Sequence, residues 1–167
     1  MKLTSRAAEI AISLSSIMTA IGYIQGGLMP GAFFAVFLGG LWYFGHIYKW
    51  KYLPSIELGA FFGLTVVGTF MDIDFIWLLG DLVSALAAWD LEQFFHRMAP
   101  FPKNDTFLIL EKNHFRRLMS VLVPGTILAL LVPRLTLELT FSWALILGLL
   151  LIYGLSRTVK YLRRESD

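Results

Sequence analysis

The sequence predicts an all-α integral membrane protein, a compact bundle of six transmembrane helices. Three observations predict it. Of 167 residues, 57% are hydrophobic and only 16% are charged, against about 45–50% and about 25% in soluble domains. The charged residues cluster between long apolar runs, and the mean hydropathy is +0.68. The Lys and Arg residues fall on alternate connecting segments, as the positive-inside rule requires of a multi-spanning chain. These features exclude an ordinary soluble enzyme, a disordered protein and a nucleic-acid-binding domain. There is no cysteine, which removes disulfides, thiolate metal sites and cysteine nucleophiles.

A spanning helix needs about 20 apolar residues, with a range near 17–25. The first span covers 5–24. Its apolar run outlasts the roughly 7–15 residues of a signal-peptide core and leads into Gln25-Gly26-Gly27, so it reads as a retained helix. The second covers 32–48, after the turn formers Pro30 and Gly31. The third covers 55–71, between Pro54 and the Asp72-Ile73-Asp74 segment. The fourth covers 75–98 and is stopped by Pro100 and Pro102. The fifth covers 114–132, with Pro124 inside it and Pro133 after it. The sixth covers 141–161. Together they read as one membrane-embedded domain over residues 1–167.

With the N-terminus inside, thirteen of the 14 basic residues fall on the inner side and only Arg134 on the outer. Both termini are then cytoplasmic, and the location is the cell (inner) membrane, crossed several times. Between the fourth and fifth spans, Asp105-Thr106 can cap a helix. Phe107, Leu110, His114 and Leu118 follow at three- and four-residue steps. This predicts a short amphipathic helix on the inner surface. Small residues at four-residue spacing mark helix-packing faces: Ala7, Ala11, Ser15 and Thr19; Ala35 and Gly39; Gly59 and Gly63; Ala144 and Gly148. Phe33, Phe34, Phe37, Phe61 and Phe62 read as faces for lipid or a partner. In size and topology the chain resembles the substrate-binding membrane subunits of vitamin transporters, and no residue is carried across on that basis.

Ionisable residues inside a span cost a few kcal/mol on insertion scales and are functional candidates by default. The fourth span is the place to look. At about 100° per residue, Asp81, Ser84, Ala85, Ala88 and Glu92 share one stripe, with His96 a turn further. Asp90 points away, toward Arg97 or water. Glu9, Glu57, Glu92, Glu111 and the three histidines all fall toward the inner boundary. This convergence supports three readings. The first is structural, hydrogen bonds and ion pairs between helix ends. The second is a polar-ligand or proton site built from Asp81, Ser84, Glu92, Glu9 and Glu57. The third is a metal site drawn from His46, His96, His114, Glu92 and Glu111, with zinc, iron or a bis-histidine haem between His46 and His96 as cofactor; the sequence itself requires none. No nucleophile elbow, His-Glu-x-x-His or phosphate loop is present, so no catalytic residue is assigned and the chain reads as non-enzymatic. Its partners are the lipid bilayer and, as alternatives, a second copy or the other subunits of a membrane complex, with this chain as scaffold.

Overall fold

The computed structural model describes residues 2–99 and 105–131. All the described secondary structure is helical: α1 (Lys2–Gln25), α2 (Met29–Tyr48), α3 (Leu53–Phe70), α4 (Phe75–Met98) and α5 (Asp105–Leu131). They belong to one compact unit, Met1–Val132. The expected sixth span, 141–161, lies outside the described residues.

The first four helices occupy the places the apolar runs predict, and local chemistry sets their ends. α1, α2 and α3 each close on a left-handed residue that turns the chain: Gly27 at φ 73°, Lys49 at φ 58° and Asp72 at φ 56°. In each case the next amide reaches back to a carbonyl five residues earlier, Leu28 to Tyr23 at 2.8 Å, Trp50 to Gly45 at 3.0 Å and Ile73 to Gly68 at 3.0 Å. This is the Schellman closure, which satisfies carbonyls that the helix end would leave bare. Glycine takes this conformation freely and Asp more readily than most side chains; Lys49 takes it against the usual preference. Pro sits in the first turn of both α2 and α3, where its missing N–H is no loss. Asp74 caps α4 by accepting from the Ile76 amide at 3.3 Å.

α1 lies at the centre, packed most extensively on α4 and then on α2; α3 closes against α2 and α4, and α5 leans on α4. Successive helices of α1 to α4 are antiparallel. Along the α1 stripe Ala11, Ser15 and Thr19 are buried, the last two at 0% exposure, while Ala7 is part-exposed. Gly39 meets Ser16 so closely that a Cβ there would collide with it, and the Ser16 hydroxyl donates to the Ala35 carbonyl at 3.1 Å. Four helices, over Thr4–Gln25, Met29–Tyr48, Leu53–Phe70 and Ile109–Leu131, are long and apolar enough to cross a membrane. Their outward faces carry large apolar side chains, among them Ile10, Phe33, Phe37 and Phe70. Such continuous apolar exposure suits a bilayer and not water.

Four expectations are corrected. The amphipathic inner helix and the fifth span are not separate, because α5 runs unbroken from Asp105 and carries Pro124 within it. The Gly59 and Gly63 face is open, with nothing near either glycine. Phe61 is not a lipid-facing ring: it is fully buried and lies 5.7 Å from the Trp42 ring. Finally, Asp90 reaches neither Arg97 nor water alone, because α5 presents His114 to it at 2.9 Å.

Candidate polar and proton-handling site

The buried stripe of α4 is the one the helical period predicts: Asp81, Ser84, Ala85, Ala88 and Glu92 are all buried. Its two acids lie about three turns apart and organise two separate polar layers.

In the first layer Asp81 is at 0% exposure. The Ser15 hydroxyl of α1 donates to its Oδ1 at 2.6 Å. The Thr65 hydroxyl of α3 lies 2.9 Å from Oδ2 and 3.1 Å from its own helix carbonyl at Phe61. A hydroxyl has one proton to give, and the carboxylate is the stronger acceptor. Asp81 thus ties three helices together with one donor on each oxygen. Ser84 does not join it. Its hydroxyl donates to the Gly80 carbonyl at 2.7 Å, within α4.

In the second layer Glu92 is 1% exposed. The Trp42 indole N–H of α2 donates to its Oε2 at 2.7 Å. His46 Nδ1, also on α2, lies 2.7 Å from Oε1. While Glu92 is ionised that contact needs a proton on Nδ1, in the neutral tautomer or the imidazolium; once Glu92 is protonated its O–H can donate to Nδ1 instead. The other ring nitrogen, Nε2, faces α1: it is 3.1 Å from the Ser5 hydroxyl and 3.7 Å from Glu9 Oε1. Ser5 Oγ in turn lies 3.2 Å from the same Glu9 oxygen. The Glu9 side chain is 38% exposed and that of His46 7%. Glu9 also lines an open hollow of about 420 Å³ with Ser13 and Tyr43.

This chain of contacts can be satisfied in two ways. With an imidazolium, Nε2–H donates to Ser5 and Ser5 donates to Glu9. With a neutral ring protonated on Nδ1, Ser5 turns and donates to Nε2 instead. One rotating hydroxyl therefore links two complete patterns that differ by a single proton.

Glu57 is a third buried acid, 1% exposed, one turn before Phe61 on the same buried face of α3. Its Oε2 has no hydrogen-bond partner among the described residues. The remaining candidates lie apart. Phe95 stands 5.9 Å from the rings of both His46 and His96, and no polar contact joins the two histidines. His114 stacks on Phe94 at 4.1 Å and faces Asp90. Glu111 accepts from the Thr4 amide at 2.8 Å and from the Thr4 hydroxyl. Of the five residues considered for a metal, His46 and Glu92 meet. Among the described residues no group of three His, Asp or Glu side chains is arranged to hold a metal ion.

Sequence reasoning missed Ser15, Thr65, Trp42 and Ser5. Ser15 was visible only as a small packing residue, and Thr65 carried no signal beyond its hydroxyl. No family model matches the chain, and no curated protein or solved structure is similar to it.

Proposed function

We propose that the protein is a small multi-spanning membrane protein that takes up and releases a proton at the Glu9–Ser5–His46–Glu92 chain. The observation that carries this reading is the bridge itself: one imidazole touches a fully buried carboxylate at 2.7 Å and, through a serine hydroxyl, a half-exposed one. Histidine is the side chain whose ordinary titration range suits such a shuttle. A proton arriving at Glu9 is handed to Ser5 Oγ as Ser5 gives its own proton to Nε2. His46 then releases the Nδ1 proton to Glu92, and the same steps in reverse return it to Glu9, so the chain loads and unloads a proton at its own end of the bundle. Glu57, buried with an unpartnered oxygen at the same end of the bundle, adds proton-accepting capacity there. A proton suits this site better than a larger polar ligand, because Asp81 and Glu92 already have protein donors on both oxygens.

The reading includes six spans with both termini cytoplasmic and the cell membrane as location. The side-chain contacts support that orientation. Ser5 with His46 and Thr4 with Glu111 bring the starts of α1 and α5 and the end of α2 to one end. That end carries Arg6, Lys49, Lys51, Lys112, Arg116 and Arg117, while Asp72 and Asp74 lie at the other.

The test is proton uptake by the purified protein after a downward pH jump, read with a pH dye in unbuffered micelles. Wild type should take up more protons than Glu92→Gln or His46→Phe. Equal uptake by all three would sink the proposal.

A further inference from the structure

A groove of about 520 Å³ runs between α1, α4 and α5, on a different flank from the His46 chain. Its walls are Ala7, Ile10 and Leu14 of α1, Val83 and Ala87 of α4, and a long stripe of α5 from Phe115 to Ile127; Ser84 and Thr126 are its polar lining residues. Ser84 has spent its proton on Gly80 and Thr126 on the Leu122 carbonyl, so the wall offers no free hydroxyl proton to a ligand. Twelve residues of helix rise about 18 Å. One leaflet of a roughly 30 Å hydrocarbon core has about that depth. The groove is therefore apolar along the length of a lipid tail.

Its mouth is cationic. Arg6 immediately precedes Ala7, Lys112 lies three residues before Phe115, and Arg116 follows it; all three are exposed. Among the described residues none of the three forms an ion pair. Of the acids described at this end, Glu111 accepts from Thr4, Asp90 faces His114, Glu9 and Glu92 face the His46 chain, and Glu57 is buried. Positive charge at the cytoplasmic end of an interhelical apolar groove is the chemistry that holds anionic headgroups.

We infer that this groove binds one acyl chain of an anionic phospholipid, whose phosphate sits among Arg6, Lys112 and Arg116. The site is independent of the proton chain, sharing no residue with it.

The full-length protein, extracted gently and stripped of lipid, can be titrated with phosphatidylglycerol and with phosphatidylcholine of the same chains, and bound lipid counted by native mass spectrometry. One phosphatidylglycerol should bind in preference to phosphatidylcholine. Lys112→Ala and Arg116→Ala should each weaken it about fivefold, equivalent to the ~1 kcal/mol a cation contributes near an anionic lipid surface. Lys49→Ala and Lys51→Ala remove the same charge at the same end but outside the groove, and should leave binding unchanged. Ala87→Trp, which fills the groove, should abolish binding of both lipids. Glycerol phosphate should not compete, since it lacks the chain; effective competition would assign a free-phosphate site instead. Equal affinity for the two lipids, or equal losses from Lys51→Ala and Arg116→Ala, would overturn the inference. So would a dimer that disappears with Ala87→Trp, since a second copy would then fill the groove.

Discussion

Asp81 and Glu92 lie on one stripe of one helix, both buried and both hydrogen-bonded on each oxygen, yet they have different chemical capacities. The partners of Asp81 are two hydroxyls, Ser15 and Thr65. Neither hydroxyl titrates, and neither hydrogen bond leads to a titratable group. That layer is a clamp across α1, α3 and α4. The partners of Glu92 include an imidazole, and that imidazole continues through Ser5 to the half-exposed Glu9. Burial alone therefore does not mark a carboxylate as functional. What distinguishes the two is whether the neighbour can itself exchange a proton with the next group.

The hardest blow to this contrast is to delete each acid in turn. Glu92→Leu leaves the Trp42 N–H and the His46 ring buried without an acceptor, and should cost about 3–5 kcal/mol, as breaking a buried charged pair does. Asp81→Leu should cost less, about 1–3 kcal/mol, because Thr65 still has the Phe61 carbonyl to bond. Unfolding in mixed micelles measures both; equal losses would erase the distinction between the layers. Gly39→Leu serves as a reference for pure packing. Driving a side chain into Ser16 should cost about 1–3 kcal/mol by overpacking while leaving the polar partners of both acids in place. Unchanged thermal stability would mean α1 and α2 do not approach as closely there.

Asp81→Asn sharpens the comparison at smaller cost. The amide keeps one acceptor for Ser15, and its NH₂ can donate to Thr65 Oγ once Thr65 turns to Phe61. Stability should change by no more than about 1 kcal/mol, and proton uptake after the pH jump should match wild type. A large loss of uptake would move Asp81 into the proton chain. The smallest structural change is Ser5→Ala, within about 0.5 kcal/mol at a part-exposed position. It should nevertheless slow proton uptake after the pH jump several-fold, because no hydroxyl remains between Nε2 and Glu9. Persistence of the wild-type rate would show that Glu9 and His46 exchange directly across their 3.7 Å gap.

Much of the fold was legible because lipid imposes a simple code. Apolar runs gave the first four helices to within a few residues, and the α4 stripe followed from the helical period alone. α5 was misjudged at its start. The polar stretch before His114 looks like a surface element, and continuity depends on how the backbone passes through it. The site was half legible. His46, Glu92 and Glu9 stood out as charges with no topological duty. Ser5, Ser15 and Thr65 did not, because a hydroxyl in a helix reads the same whether it back-bonds to its own turn, as Ser84 does, or crosses to a neighbour. Asp90 and His114 went unpaired for a related reason: their meeting depends on which helix α5 leans against.

Composition and periodicity determined that this chain forms a bundle of helices, four of them long and apolar enough to cross a membrane, and which acids its fourth helix must bury. They could do so because burial and helical phase are properties of one segment at a time. Tertiary structure alone decided that Asp81 meets hydroxyls and Glu92 meets an imidazole, that Phe61 turns inward onto Trp42, and that the histidines separate. Those outcomes depend on the rotation and lean of helices far apart in sequence, and contacts of 2.6–2.9 Å are fixed only when such helices lock together.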